Sequence, residues 1–466
     1  MIPKNNKKTL LALLLFLAIL IPATGLRLYR IGNHSLWLDE IAGIYGFDVV
    51  NPFFYLLIQQ MWITMVGTAE AMIRLPSAIF SLLSLPVIFI LGRQLFSTRA
   101  GLLAAIILTV SPFSINYAQE GRMYSLVWFL IILSFYLFYR FYQEGCRRFL
   151  IGCLLANAGA VYVSYSSFIF ILTENIIFLL FLKRQRCKLW LWGQLAFLVL
   201  LLPILPSLWE TATSREGIGW ITLNFNYGIL FRGIFFYLGG DLTGRGEIWI
   251  HLPYLILIVL GYFRLEKGNI RMTLAKEDLF LIIWFATPIL TGAAINCFFP
   301  FLSPLTIRYI GFIHFPFYLA VARGISRIRS GVGEGIIICL LVLISSHHLI
   351  SYYQGNNCVR RENWRGVINH LENDANPDDF LLLLQGAELP YRHYNAGKIE
   401  NLRFAWQPDG IADFSIPPDH YHIFILYRKW QHRLRFQSLP KYRLLEHFRD
   451  GPIGYYKYEP EHLHQK

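Results

Sequence analysis

The chain has 466 residues, of which 55% are hydrophobic, 16% aromatic and only 15% charged, and its mean hydropathy is +0.45. A soluble globular domain carries roughly 25% charged residues, so the composition excludes an ordinary soluble enzyme and points to many membrane spans. The formal charge of +13 does not argue for nucleic acid, because the basic residues cluster in short connections between apolar runs and form no stripe on a folded domain.

KNNKK (Lys4–Lys8) precedes an apolar run from about Leu10 to Leu26. No small-residue cleavage site follows and further spans do, so this segment reads as an uncleaved first transmembrane helix with its basic end in the cytoplasm. Apolar runs long enough to cross a bilayer, at about 1.5 Å of rise per residue, recur near 74–92, 100–117, 122–140, 149–165, 167–183, 190–208, 249–264, 279–297, 306–323 and 335–351. The basic connections are Arg93 with Arg99, Arg140 with Arg147 and Arg148, Lys183 to Lys188, Arg264 to Lys276, and Arg323 to Arg329. They fall on every second crossing, on the side of the N-terminus. Eleven spans with this alternation predict a cytoplasmic N-terminus and an extracytoplasmic C-terminus.

Three polar segments then lie outside. The first, 27–73, contains Asp39 and Glu40 and also NPFFYLLIQQMW (Asn51–Trp62), which is too short to span and reads as an interfacial helix. The second, about 209–248, is rich in Gly, Thr and Asn and contains Asp241 and Glu247. The third is the tail from 352 onward. There ENWRGVINHLEND (Glu362–Asp374) reads as an amphipathic helix, and DDFLLLLQG (Asp378–Gly386) and HIFILY (His422–Tyr427) as buried strands. The predicted organisation is a transmembrane domain over 1–351, with its first outer loop at 27–73, and a small extracytoplasmic α/β domain over 352–466. The cysteines have neither metal-ligand nor redox spacing, and Cys358 stands alone in the tail.

The outer acids carry the candidate chemistry. Asp39 and Glu40, in SLWLDE, follow the first span, and Glu120, in NYAQEGRMY, lies in the short turn between the third and fourth spans. An ionised group beside hydrocarbon is costly, so acids kept there invite a functional reading. A carboxylate could take the proton of an acceptor hydroxyl as general base. A cation could meet a phosphate leaving group, and Arg74, Arg122 and Arg308 stand at outer ends of spans. Spacing alone leaves plainer readings open. Asp39 and Glu40 suit solvated loop residues, the commoner fate of such a pair, and Glu120 with Arg122 suits a local ion pair. Arg308, in SPLTIRY, could snorkel to headgroups, and His347 and His348 near the end of the last span read as interface packing.

As an ordered set, SLWLDE, NPFFYLLIQQMW, RLPSAIFSLLSLPVIFILGRQLFSTRAGLLAA and SPFSINYAQEGRMYSL in the first 130 residues resemble the polyprenyl-phosphate-dependent glycosyltransferases of the GT-C superfamily. Within it they resemble the protein O-mannosyltransferase and aminoarabinose-transferase branch. LLPILPSLW (Leu201–Trp209), Arg308-Tyr309 and NWRG (Asn363–Gly366) are similar to the same family more weakly. The resemblance implies a GT-C-type helical membrane domain and an inverting transfer of sugar from a lipid phosphate on the outer face. It implies that Asp39 is the catalytic base or an acceptor-positioning acid, with Glu40 its neighbour in the motif. Glu120 matches the second acidic position, and Arg74 the arginine opening RLPSA; Arg122, Arg308 and Tyr309 complete the expected donor-phosphate group. One departure stands out: the family commonly carries His-Pro-Pro where this chain has Asn51-Pro52-Phe53, so the histidine's role is unfilled or falls to Asn51.

The implied partners are a polyprenyl-phosphate sugar, an acceptor that is a lipid, a protein or an envelope polysaccharide, and membrane lipids in a prokaryotic plasma membrane, with no nucleic acid. No cofactor is certain from the sequence; a divalent cation could assist, but few outer acids and no spaced histidines argue against a protein metal cage. Two other classes compete. A lipid-linked sugar transporter would carry ionisable groups at mid-membrane and relate two halves by a repeat, whereas the predicted spans are nearly free of charge apart from Glu174. A non-catalytic subunit of envelope assembly would leave the outer acids dispensable.

Overall fold

The structure, a computed structural model, describes residues 4–46, 53–181, 183–213, 234–242, 248–266, 269–298, 307–328, 330–355, 362–384, 386–395, 397–399, 401–405, 422–428 and 442–461. Asn51, Pro52, Glu247 and Cys358 lie outside them, as does most of the second predicted outer loop. The chain divides into two compact units. One comprises Met1–Ile31, Asp48–Met61 and Arg74–Cys358; the other comprises Gly32–Phe47, Trp62–Ile73 and Val359–Lys466.

Among its described residues the first unit is helical apart from a hairpin of β1 (Phe263–Glu266) and β2 (Asn269–Met272). Its leading helices are α1 (Lys4–Leu28), α3 (Phe53–Val66), α4 (Glu70–Leu95), α5 (Thr98–Val110), α6 (Pro112–Ala118) and α7 (Tyr124–Glu144). Helices α8 (Arg147–Val163), α9 (Ser167–Leu180), α10 (Arg184–Leu201) and α11 (Leu205–Thr213) follow. After them come Ile248–Tyr262, Lys276–Phe298, His314–Ser326 and Gly331–Gln354. Helix underlies each of the eleven predicted spans. Among the described residues six helices are long and apolar enough to cross a membrane: Leu10–Leu28, Glu70–Leu95, Tyr124–Glu144, Arg184–Glu210, Lys276–Ile295 and Gly331–Gln354. A seventh joins Thr98–Val110 to Pro112–Ala118 across a 60° bend. The chain is a multi-pass membrane protein, and a count of eleven depends on the shorter helices α8, α9, Ile248–Tyr262 and His314–Ser326.

Helices in lipid gain little from burying leucine against leucine, so close backbone approach and polar contacts decide which ones pair. A Cβ on Gly101 of α5 would meet Phe89 O of α4 at 2.4 Å, and one on Gly324 would meet Leu257 O at 1.9 Å. Only glycine permits those two crossings. Fully buried Glu174 of α9 accepts from Ser134 Oγ of α7 at 2.8 Å and Asn157 Nδ2 of α8 at 2.6 Å, tying three helices together. Arg323 forms a buried ion pair with Asp278, so the spans carry more charge than Glu174 alone.

The second unit is built on a five-stranded mixed sheet. Its strands are β3 (Phe380–Leu384), β4 (Asn401–Ala405), β5 (Ile423–Arg428), β6 (Tyr442–Asp450) and β7 (Ile453–Pro460), in the order β4-β3-β5-β7-β6. β4, β3 and β5 are parallel, and β5, β7 and β6 are antiparallel. β3 and β5 are buried on both faces, which is why they read as unbroken apolar runs. Leu381, Leu383, Phe424 and Leu426 turn to one face, where Trp364, Val367, Ile368 and Leu371 of the helix Trp364–Asp374 pack on them. Leu36, Ile41 and Ile73, from the first predicted outer loop, belong to the same core. The predicted tail domain is therefore joined by residues some three hundred positions earlier in the chain.

Candidate active site

Within the helical unit the sequence sets up a broken helix. Pro112 has no N–H to give Leu108 O, so the α5 ladder must stop there, and Ser111 restarts it by accepting Ser114 N at 3.1 Å. The carbonyls left at the break are taken by Arg27, a fully buried residue of α1. Its guanidinium donates to Leu108 O at 3.1 Å, Thr109 O at 3.3 Å, Ser81 Oγ at 2.8 Å and Ser114 Oγ at 3.2 Å. Gln119, just past α6, returns the service. Its Nε2 donates to the terminal carbonyls of α1, Arg27 O at 2.9 Å and Tyr29 O at 2.8 Å, while its Oε1 accepts from Tyr352 Oη at 3.0 Å. Each helix end thus closes the other's orphan carbonyls.

The turn fixed in this way carries Glu120 and Arg122. Arg122 N donates to Glu120 O at 2.8 Å, and Ser77 Oγ of α4 donates to Arg122 O at 3.1 Å. Arg74 lies one turn before Ser77 on the same side of α4 and donates to Ile31 O at 3.0 Å. Gln59 of α3 reaches Gly121 O at 3.5 Å. Arg308 sits over the Tyr309 ring at 5.1 Å, and Tyr309 packs on Tyr124 at 6.3 Å between centroids. Tyr124 follows Arg122 by two residues, so its ring links Tyr309 and Arg308 to the turn. Arg74, Arg122 and Arg308 are about 5% exposed each, and Glu120 is half-buried. Predicted residues more than two hundred positions apart thereby gather at one end of the helical unit, with cations outnumbering acids. Such a group is suited to a bound phosphate.

Asp39 and Glu40 belong to the other unit, on the seven-residue helix α2 (Leu38–Ile44). Glu40 is fully buried and its Oε2 accepts from Trp37 N at 3.1 Å, closing the helix N-terminus from the third helical position. Asp39, one residue before it, is half-buried. The next amide, Leu38 N, donates to Glu362 Oε2 at 3.0 Å; that oxygen also accepts Trp364 Nε1 at 2.9 Å, and Arg428 pairs with Oε1. Glu70 gathers the other half of the loop, accepting from Arg365 at 2.9 Å and from Tyr394 Oη at 3.2 Å. Sequence reasoning missed Arg27, Gln119, Glu70 and Glu362. Gln119 lay within a recognised motif, but nothing in its spacing shows two carbonyls waiting for it. Among the described residues no three His, Cys, Asp or Glu side chains are grouped so as to hold a metal ion.

Residues 50–209 match the family model of the dolichyl-phosphate-mannose-protein mannosyltransferases. No curated protein sequence matches the chain. Among solved structures, the chain is similar to ArnT from Cupriavidus metallidurans bound to undecaprenyl phosphate, with a TM-score of 0.58 and 13% identity over 96% of this chain and 97% of that one. It is also similar to the Archaeoglobus fulgidus oligosaccharyltransferase in complex with Zn and sulfate, with a TM-score of 0.53 and 12% identity over 95% and 72% of the two chains. A third likeness is to the archaeal oligosaccharyltransferase AglB from Archaeoglobus fulgidus in complex with an inhibitory peptide and a dolichol-phosphate. Its TM-score is 0.51, with 10% identity over 96% and 74%. At such identities the likeness is one of fold, and it extends over nearly the whole chain.

Proposed function

We propose that this chain, which has the fold of the polyprenyl-phosphate-dependent membrane glycosyltransferases, is itself such an enzyme and moves a sugar from a polyprenyl-phosphate donor to an extracytoplasmic hydroxyl. The observation that carries this reading is that three buried arginines, Arg74, Arg122 and Arg308, meet the turn that bears half-buried Glu120 through Ser77, the turn's own backbone and the Tyr309–Tyr124 ring pair, at one end of a membrane helix bundle. A polyprenyl chain keeps its phosphate at headgroup depth, and the ends of spans are where that depth is reached.

The chemistry assigned to the residues is a single inverting displacement. The acceptor hydroxyl gives its proton to Asp39 while its oxygen bonds the anomeric carbon from the face opposite the phosphate. The bond from that carbon to the phosphate oxygen breaks, and its electron pair leaves on the polyprenyl phosphate. Arg74, Arg122 and Arg308 offset the added negative charge, where dry surroundings make each cation count for more. Tyr309 holds Arg308 in place, and Glu120 takes the second acidic position beside the cations. Glu40 fixes the helix that carries Asp39. A divalent cation is compatible with this scheme. The finer topology follows: eleven spans in a plasma membrane, with the N-terminus cytoplasmic and the 352–466 domain outside. The acceptor is a lipid, a protein or an envelope polysaccharide.

The test compares wild type with Asp39→Asn in detergent, supplying undecaprenyl-phosphate mannose or undecaprenyl-phosphate aminoarabinose and an envelope extract as acceptor. Loss of a general base costs about 100- to 10,000-fold in turnover, while binding of undecaprenyl phosphate should be unchanged. Wild-type turnover by Asp39→Asn would remove Asp39 as base. A wild type that neither transfers any sugar nor binds undecaprenyl phosphate would favour the non-catalytic assembly subunit.

A further inference from the structure

We infer that Glu362, and through it the C-terminal α/β unit, is a positioning device for Asp39; this rests on the catalytic reading of Asp39 given above. Helix α2 has seven residues. A helix of two turns cannot hold itself together in water, because nucleation is unfavourable and too few bonds follow it. Its shape and aim must come from what grips it. The N-terminal amides show the grip: Trp37 N is held by Glu40 from within the helix, and Leu38 N, adjoining Asp39, by Glu362 from the far end of the chain.

Glu362 is itself fixed. It is 4% exposed, its Oε2 also accepts Trp364 Nε1, and its Oε1 pairs with Arg428, the last residue of β5. Trp364 is fully buried and opens the helix that covers the sheet. The position of β5 is thus passed through Arg428, Glu362 and the Leu38 amide to the residue that carries the carboxylate. Apolar contacts support the same alignment, since Leu36 just before α2 and Ile41 within it lie in the core that contains Trp364, and Tyr394 Oη accepts Leu36 N at 2.8 Å. The sheet of this unit accordingly takes part in fixing Asp39, beyond any binding of acceptor.

Full-length Glu362→Ala, Glu362→Gln, Asp39→Asn and the Asp39→Asn/Glu362→Ala double variant are compared in detergent, with matched melting temperatures, on whichever undecaprenyl-phosphate sugar the wild type uses. Glu362→Ala should lower kcat by about 10- to 100-fold, the scale of a misplaced reacting group, with KM for the donor within about twofold. Glu362→Gln, whose carbonyl can still accept the Leu38 amide, should recover most of that loss. Because Glu362 acts through Asp39, the double variant should be no slower than Asp39→Asn alone. Wild-type kcat in Glu362→Ala, or a double variant slowed by the product of the two single losses, overturns the inference while leaving Asp39 as base. A fully active Asp39→Asn brings down the base assignment instead. Hydrogen exchange of the 36–44 backbone tests the link without any sugar: the Leu38 amide should exchange about tenfold or more faster in Glu362→Ala. Unchanged protection there would equally overturn the inference.

Discussion

Replacing Gln119 by glutamate changes one NH2 into an oxygen and almost nothing in volume, yet it should disable the end of the helix bundle. Gln119 is 7% exposed, and its amide nitrogen faces the carbonyls of Arg27 and Tyr29 at 2.9 and 2.8 Å. A carboxylate there would oppose those oxygens with a third and carry a charge into a dry site. Gln119→Leu is the milder comparison: it leaves two carbonyls without a donor and the Tyr352 hydroxyl without its acceptor. At about 1–2 kcal/mol for each abandoned group, Leu should cost about 3–6 kcal/mol, roughly 3–6 °C in melting temperature for a chain of this length. Glu should cost more than Leu at neutral pH, and the gap should narrow as acid protonates the new carboxyl. The adjoining residues are Glu120 and Arg122, so binding of undecaprenyl phosphate should fall in both variants by more than the loss of folded protein explains. Thermal unfolding in detergent and titration with undecaprenyl phosphate check both parts. A Gln119→Glu protein as stable as wild type at neutral pH would refute the proposed donor role of the amide.

Two further outcomes follow from the geometry. Arg74→Gln, Arg122→Gln and Arg308→Gln should each weaken undecaprenyl phosphate binding by about 10- to 100-fold, the scale of a charge-assisted hydrogen bond. Lysine should restore only part of it, and equal affinity in all three glutamine variants would separate the cluster from the phosphate. His393 packs edge-on to Tyr45 at 6.4 Å, and burial holds its imidazole below its usual pKa, against the opposing pull of Glu70. The unfolded chain then binds the proton more readily than the folded one, so this residue's contribution is complete above a pH of about 6.5 and declines below it. Protection of the 38–44 amides, taken relative to the intrinsic exchange rate at each pH, should fall between neutral pH and about pH 5.5, and His393→Gln should flatten that response.

The sequence was most readable where one local rule decided the outcome. Unbroken apolar runs announced β3 and β5 because both faces of those strands are covered, and apolar length announced the long spans. The turn at Glu120 and Arg122 was visible as a motif, and its partners Arg74 and Arg308 were visible as charges at span ends. Arg27 and Gln119 were hidden because they bind backbone carbonyls, which every residue possesses and which become acceptors only where a helix breaks. Glu40 was hidden differently: it closes its helix from the third position, but Trp37 stands where the capping signature has serine or threonine. The membership of Leu36, Ile41 and Ile73 in the second core could not be read at all. That contact joins segments some three hundred residues apart in the chain, and no local pattern reports it.

That joining has a consequence in time. The amide of Leu38 and the carboxylate of Glu362 are 324 residues apart. At about 5–20 residues per second of synthesis, the helix bearing Asp39 leaves the ribosome roughly half a minute before its holder exists. During that interval the bundle can insert and the arginines can meet, while the acid stays slack. A chain interrupted before Glu362 would occupy the membrane with the Leu38 amide unheld. One of the last parts to be made is therefore what fixes one of the first.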